Sequence, residues 1–83
     1  MKYVNSNDQR ILIGSNIRQW RMLKGIKQSQ LADQLGITTA ALSNIENDKT
    51  NMSMRRIEAI AVQLQLDVVK LFSNPLDLLM MTQ

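Results

Sequence analysis

Five short, uncharged side chains fall on one side of a helix predicted near the middle of the sequence. They are Thr39, Ala40, Ser43, Asn44 and Asn47, at the spacing i, i+1, i+4, i+5 and i+8. Asparagine can pair with N6 and N7 of adenine, Thr and Ser can bond to several base edges, and alanine can contact a thymine methyl group. These five residues, called the outer face below, are therefore suited to the major groove of DNA. The outer face has no Arg for a guanine, which predicts a preference for A·T pairs.

The sequence lacks the side chains that most catalytic and metal sites use. Its 83 residues include no Cys and no His, which excludes thiolate chemistry, disulfides and the usual zinc and general-base arrangements. It also has no glycine-rich phosphate loop and no arrangement that would activate a nucleophile. We therefore expect no enzymatic activity, no cofactor and no metal.

Charge is distributed unevenly along the chain. Residues 1–56 contain nine basic and four acidic side chains, a net charge of +5, whereas residues 57–83 have a net charge of −2. A polyanion such as double-stranded DNA would therefore meet the first part of the chain. The longest apolar runs are only a few residues, and the N-terminus has no apolar block typical of a secretion signal, so we expect no membrane association and a cytoplasmic location.

Two short helices joined by a turn position the outer face. Apolar side chains recur at helical spacing on both sides of Gly36: Leu31, Ala32 and Leu35 before it, and Leu42 and Ile45 after it. Ala32 is small enough for two helices to cross closely, and Gly36 can adopt the positive φ of a tight turn. The hydroxyl of Thr38 is placed to cap the second helix. The pattern predicts helices from Gln28 to Leu35 and from Thr39 to about Glu46.

These residues resemble the helix-turn-helix domain of lambdoid phage repressors and Cro proteins, often called the XRE family. The residues that carry the resemblance are Gln28, Leu31-Ala32, Gly36-Ile37, Leu42, Ile45-Glu46-Asn47 and Lys49-Thr50. The resemblance extends from about Ile13 to Phe72. It implies an all-α fold, a compact five-helix repressor-like DNA-binding domain with a central helix-turn-helix, followed by a short C-terminal helical segment.

Side-chain chemistry predicts which residues contact DNA, and for Gln28 the resemblance itself implies a phosphate contact. Thr39, Ala40, Ser43 and Asn44 are predicted to read bases. The residues predicted to contact phosphates are Lys27, Gln28, Thr38, Asn47 and Lys49, with Asn51 a weaker candidate. Lys27 stands where the family usually has a Ser or Thr cap, and for this lysine phosphate contact and ordinary solvation are both open.

Two further positions relate to the family pattern. Arg21 stands opposite Glu46, which implies a bidentate ion pair that ties the first helix to the end of the third. We interpret this pair as structural. The family usually has glycine where this chain has Asp48, so Asn47 or Asp48 must adopt a left-handed conformation.

The remaining elements follow from local signals. A first helix is predicted from about Gln9 to Lys24, with Gly25 after it. Trp20 on this helix is expected in the core rather than as a stacking platform for a base.

Ser53 is placed to cap a fourth helix, whose core-facing residues are Ile57, Ile60, Ala61 and Leu64. Asp67 is placed to cap a short fifth helix of residues 68–72. Arg55 and Arg56, in the first turn of the fourth helix, are interpreted as solvated rather than bound to phosphate.

The two ends of the chain are predicted to differ from the domain of residues 10–73. Residues 1–9 are polar and are expected to form a flexible arm, with too few basic side chains to favour entry into the minor groove. Residues 74–83 form an apolar segment, and Pro75 suits the first position of a helix. Leu76, Leu79 and Met80 in this segment could fold back on the domain or form a homodimer interface. We favour the dimer, since two half-sites require two copies.

The predicted function is a sequence-specific DNA-binding transcriptional regulator, a repressor from a bacterium or phage that binds a palindromic operator as a homodimer. A chain of this length has room for one domain, so we expect control by its own concentration or by a protein partner. The alternative is an antitoxin or another partner-binding regulatory protein that uses the same domain for autoregulation.

Overall fold

The computed structural model describes residues 13–77, and this part of the chain contains helices and no strands. The elements in order are α1 (Gly14–Leu23), α2 (Gln28–Leu35), α3 (Thr39–Glu46), α4 (Met54–Leu64) and a 3₁₀ helix (Val68–Phe72). The predicted all-α, five-helix architecture is confirmed, and the bounds of α2 and α3 are those expected from the sequence.

Each helix contributes one apolar side to a single core. The buried apolar residues are Ile13, Ile17, Trp20, Leu31, Ala32, Leu42, Ile45, Ile57, Ile60, Ala61, Leu64 and Leu71. On α4 the four core residues are those predicted from the spacing i, i+3, i+4 and i+7. Burial of one Leu or Ile side chain stabilises a fold by about 1.5–3 kcal/mol, so this one cluster carries most of the stability of so small a domain.

Side-chain caps fix the starts of α3 and α4, and a glycine turn fixes the end of α2. The Thr38 hydroxyl accepts a hydrogen bond from the Ala41 amide at 3.0 Å, and the Ser53 hydroxyl accepts one from the Arg56 amide at 3.1 Å. Gly36 has φ of 70° and follows α2, where the Ile37 amide donates back to the Ala32 carbonyl at 3.0 Å. The predicted caps of α3 and α4 and the glycine turn are therefore present.

The prediction for the start of α1 was wrong. The helix begins at Gly14 rather than near Gln9, and Ile13 lies outside helical geometry with φ of −120° and ψ of 10°. The Gly14 amide donates to the Asp48 carboxylate at 2.9 Å, a contact between the start of α1 and the loop after α3. The arm of residues 1–9 lies outside the described residues.

The predicted cap of the fifth helix was also wrong. Asp67 stands at the N-cap position, but its side chain accepts no capping hydrogen bond. The element is a 3₁₀ helix, and its first turn is closed instead by the backbone, from the Lys70 amide to the Asp67 carbonyl at 2.9 Å.

Trp20 joins α1 to this 3₁₀ region. Its indole ring is buried, as predicted, and its Nε1 donates to the carbonyls of Lys70 and Ser73, both at 3.0 Å. Nearby, the Asn16 amide donates to the Leu71 carbonyl at 3.0 Å. The indole N–H therefore has partners as well as an apolar environment, as a buried tryptophan usually requires.

The C-terminal segment begins a helical turn at Pro75, as predicted. The Asn74 side chain accepts a hydrogen bond from the Leu76 amide at 2.8 Å, and the Asp77 amide donates to the Asn74 carbonyl at 3.0 Å. Leu76 is 55% exposed. Leu79 and Met80 lie outside the described residues.

Candidate nucleic-acid interface

The outer face of α3 is presented away from the core. Thr39, Ala40, Asn44 and Asn47 are exposed and Ser43 is half-buried, whereas Leu42 and Ile45 on the opposite side are buried. The structure therefore brings the predicted base-reading residues together on one side of a helix. Within residues 13–77 the Asn44 side chain makes no hydrogen bond, so both its donor and its acceptor atoms are available to a base edge.

Three polar side chains, the buried Arg21 and Glu46 and the half-buried Gln28, fix α3 relative to α1 and α2. Arg21 Nε donates to Glu46 Oε2 at 2.6 Å and Arg21 Nη2 donates to Glu46 Oε1 at 3.1 Å. The Gln28 side-chain amide donates to the same Oε1 at 3.0 Å. Arg21 is 8% exposed and Glu46 is 4% exposed, so the predicted pair lies inside the protein. The remaining Arg21 Nη1 donates to the Ile26 carbonyl at 2.9 Å.

A second connection joins α1 to the residues just after α3. Asp48 has φ of 59°, so of the two predicted alternatives Asp48 takes the left-handed conformation and Asn47 does not. The carboxylate of Asp48 accepts from the Gly14 amide at the N-terminus of α1. A Cβ atom at Gly14 would lie 2.8 Å from Asp48 Oδ1 and 2.9 Å from the Glu46 carbonyl carbon. Only glycine therefore lets α1 approach the end of α3 this closely.

The predicted phosphate-contacting residues lie at the start of α2 and at the two ends of α3. Lys27 is exposed at the N-cap of α2 and its side chain makes no capping bond, which leaves amide donors of the first turn of α2 without a side-chain acceptor. Lys49 is exposed in the loop after α3. Asn47 Nδ2 donates to the carbonyl and to the hydroxyl oxygen of Ser43, at 2.9 Å and 3.3 Å. Asn47 therefore supports the last turn of α3, a role that the sequence did not indicate.

Two clefts flank α3. The first, of about 410 Å³, lies between α3 and the start of α4, and its lining includes Asn44, Asn51 and the half-buried Arg56. The second, of about 310 Å³, is lined by Arg18, Arg21, Gln28, Ser43, Glu46 and Asn47. Basic side chains therefore border α3 on both sides, as expected of an element that enters a groove between two phosphate backbones.

The described residues include no group of His, Cys, Asp or Glu arranged to hold a metal ion. Among the helices of residues 13–77, none is long and apolar enough to cross a bilayer.

Comparison with known proteins identifies the family. The family model described as "Helix-turn-helix" (HTH_3) matches residues 17–71, which include α2, α3 and α4 completely. The chain belongs to this helix-turn-helix family. The XRE-type assignment made from the sequence is thereby confirmed.

Among similar proteins, this helix-turn-helix chain is 38% identical over 58 residues to the HTH-type transcriptional regulator SinR of Bacillus subtilis, covering 69% of this chain and 52% of SinR. It is 32% identical over 69 residues to the control protein C.MunI of a Mycoplasma species, covering 82% of this chain and 93% of that protein. The chain thus spans about half the length of SinR and nearly all of C.MunI. These relatives are named as regulators and not as enzymes.

A solved structure of SinR in complex with DNA has a TM-score of 0.66 to this helix-turn-helix chain and is 35% identical, covering 74% of this chain and 98% of that one. A SinR/SinI protein complex gives a TM-score of 0.64 at 37% identity, with coverages of 71% and 58%. SinR is therefore described in one solved structure with DNA and in another with the protein SinI.

Sequence reasoning missed three parts of this helix-turn-helix site. It did not identify the close approach of Gly14 to the end of α3, or the hydrogen bond from the Gly14 amide to the Asp48 carboxylate. It also did not identify Arg18 as part of the cleft beside α3. A glycine at the start of an amphipathic helix was the available signal for the first, since glycine is unfavourable within helices unless packing requires it.

Proposed function

We propose that this chain is a cytoplasmic, sequence-specific DNA-binding transcriptional regulator, a repressor that binds a palindromic operator as a homodimer. The observation that carries the proposal is the outer face of α3, where short, neutral side chains are exposed together on a helix that two other helices fix in place. Such a helix can approach base edges closely, because no long charged side chain separates it from the groove.

In this proposal Asn44 pairs with an adenine, Thr39 and Ser43 bond to base edges, and Ala40 contacts a thymine methyl group. Each good base contact discriminates by about 1–3 kcal/mol, so a few contacts per half-site are sufficient for selectivity. Lys27, Gln28, Thr38, Asn47 and Lys49 bind phosphates and set the orientation of α3 on the duplex. The SinR structure in complex with DNA supports DNA binding by this fold, because that chain shares the fold at 35% identity.

The proposed homodimer rests on exposed apolar side chains near the end of the described chain. Val69 is 67% exposed and Phe72 is 43% exposed, and their spacing of three places them on one side of the 3₁₀ helix. Leu76 follows, also exposed, and the sequence continues with Leu78 to Met81, all apolar. A second copy that covers these residues would remove apolar surface from water and would supply the second half-site contact.

The same surface supports the alternative function, an antitoxin or another regulator that binds a different protein. One relative, SinR, is described in a solved structure as a complex with the protein SinI. In that case a partner would cover Val69, Phe72 and Leu76, and the DNA-binding face would serve autoregulation. A neighbouring reading frame that encodes a toxin, together with copurification of its product, would favour this alternative.

The test of the proposed function is selection of bound duplexes from a random pool, repeated at two salt concentrations. Enrichment of a palindrome with half-site centres about 10 base pairs apart supports the proposal. The two salt concentrations separate the phosphate contribution, which falls as salt rises, from base recognition. Weak, salt-sensitive binding without an enriched sequence would contradict it.

A further inference from the structure

The cleft between α1 and the end of α3, here called the Arg18 cleft, is bordered by one positively charged side chain, that of Arg18, which has no structural role in the fold described above. Its lining consists of Arg18, Arg21, Gln28, Ser43, Glu46 and Asn47, and its volume is about 310 Å³. The Arg18 side chain is exposed at its edge, and within residues 13–77 it forms no ion pair and no side-chain hydrogen bond. The charge of Arg18 is therefore available to a ligand.

The position of Arg18 follows from how α1 packs against α3. Gly14, Arg18 and Arg21 are separated by four and three residues, so they lie along one side of α1. Gly14 contacts the backbone at the end of α3, and Arg21 binds Glu46 near the other end of the same side. Arg18 lies between these two fixed points. Its side chain is thus held beside α3 instead of projecting from an unattached surface.

The electrostatics of the Arg18 cleft favour an anion. Glu46 is the only acidic residue in the lining, and its carboxylate already accepts two hydrogen bonds from Arg21 and one from Gln28. With Arg21 and Glu46 neutralising each other, Arg18 gives the lining a net charge of +1. The Gln28 side-chain amide donates one of its two hydrogens to Glu46, so its second N–H is a further donor at the same cleft.

We propose that the Arg18 cleft binds a phosphate group of the DNA backbone, and that Arg18 supplies the charge for this contact. The proposal rests on the proposed function, since it assigns one more contact to the same DNA-bound state. An outer face seated in the major groove brings the phosphates bordering that groove to the sides of α3, where the cleft opens. Arg18 would then fix the position of α3 on the duplex without reading any base.

The experiment measures binding of a labelled random-sequence duplex of 20 base pairs to the wild type, Arg18→Gln, Arg18→Lys and Lys70→Gln, at salt concentrations from 50 to 200 mM. Lys70→Gln is the matched control, because it removes the same charge from an exposed side chain on the 3₁₀ helix, which packs against α1 and α4. Random sequence is used because a phosphate contact contributes equally at every site.

We expect Arg18→Gln to reduce the slope of log affinity against log salt by about 0.9, the value for one phosphate contact. Over a fourfold rise in salt, the wild type then loses about 3.5-fold more affinity than the variant. Arg18→Lys should restore most of the slope, Lys70→Gln should retain the wild-type slope, and all melting temperatures should agree.

Equal slopes for Arg18→Gln and Lys70→Gln would overturn the proposal while leaving the proposed function intact. Failure of the wild type to bind the duplex at 50 mM salt would overturn both the proposed function and the phosphate contact. The two failures are therefore distinguishable in one set of titrations.

Discussion

Arg21 and Glu46 form a buried, bidentate ion pair, with Nε 2.6 Å from Oε2 and Nη2 3.1 Å from Oε1. The pair joins α1 to the last residue of α3, the helix whose outer face is proposed to enter the groove. Gln28 shares one carboxylate oxygen, so the first residue of α2 is held by the same group. The position of α3 is therefore set by contacts that do not involve DNA.

Arg21→Ala should destabilise the fold by about 3–5 kcal/mol, because it leaves the Glu46 carboxylate buried without its partner. This is a large fraction of the stability of a small domain. The measurement is urea unfolding followed by circular dichroism, with Arg18→Ala as the control for loss of an exposed arginine. The control should change stability by less than about 0.5 kcal/mol. An unchanged midpoint in Arg21→Ala would show that the pair is not structural.

The substitution Gly14→Ala distinguishes helix propensity from tertiary packing, because the two predict changes of opposite sign in the free energy of unfolding. Alanine within a helix is ordinarily favoured over glycine by about 0.5–1 kcal/mol. Here the added Cβ would lie 2.8 Å from Asp48 Oδ1 and 2.9 Å from the Glu46 carbonyl carbon. We therefore expect a loss of about 1–3 kcal/mol in thermal or urea unfolding, as for other overpacked sites. The neighbouring exposed Ser15→Ala is the control, and stabilisation by Gly14→Ala would disprove the close approach.

Two substitutions at Asp48 together measure the energetic cost of the left-handed backbone conformation at this position. Asp48→Gly and Asp48→Ala both remove the carboxylate that accepts from the Gly14 amide, but only alanine retains a Cβ at φ of 59°. We expect the glycine variant to be more stable than the alanine variant by about 1 kcal/mol, the cost of a left-handed conformation for an L-residue. Unfolding midpoints of the two variants give this difference directly. Equal midpoints would mean that the loop relaxes out of the left-handed region.

Sequence reasoning succeeded where the determinants are local. The bounds of α2 and α3 and the Thr38 and Ser53 caps depend on residues within one turn of each other. It failed for relationships between distant residues: Gly14 bonds to Asp48 across 34 positions, and Trp20 bonds to Lys70 across 50. The start of α1 depends on the first of these contacts, which no local pattern encodes. The Arg21–Glu46 pair was anticipated only because the chain resembles a family in which both positions are charged.

The proposed dimer predicts that acidic substitutions at the exposed apolar side chains dissociate it. Val69→Glu and Leu76→Glu should each weaken self-association at least about tenfold. Burial of either apolar side chain is expected to contribute about 1.5 kcal/mol or more to the free energy of dimerisation, and a charged side chain loses this contribution. Analytical ultracentrifugation measures this, with the exposed Leu23→Glu on α1 as the control. A wild type that remains monomeric at high concentration would contradict the homodimer and favour a different protein partner.

The most direct test of base reading by α3 is a comparison of the duplexes selected by the wild type and by Asn44→Ala. Asn44 is exposed, so the variant should fold with the wild-type melting temperature. We predict that both proteins select the same palindrome, and that the variant loses preference at one or two symmetric positions, worth about 1–3 kcal/mol per contact. An unchanged preference at every position would contradict the assignment of Asn44 to a base, and the absence of any enriched sequence for the wild type would contradict the account as a whole.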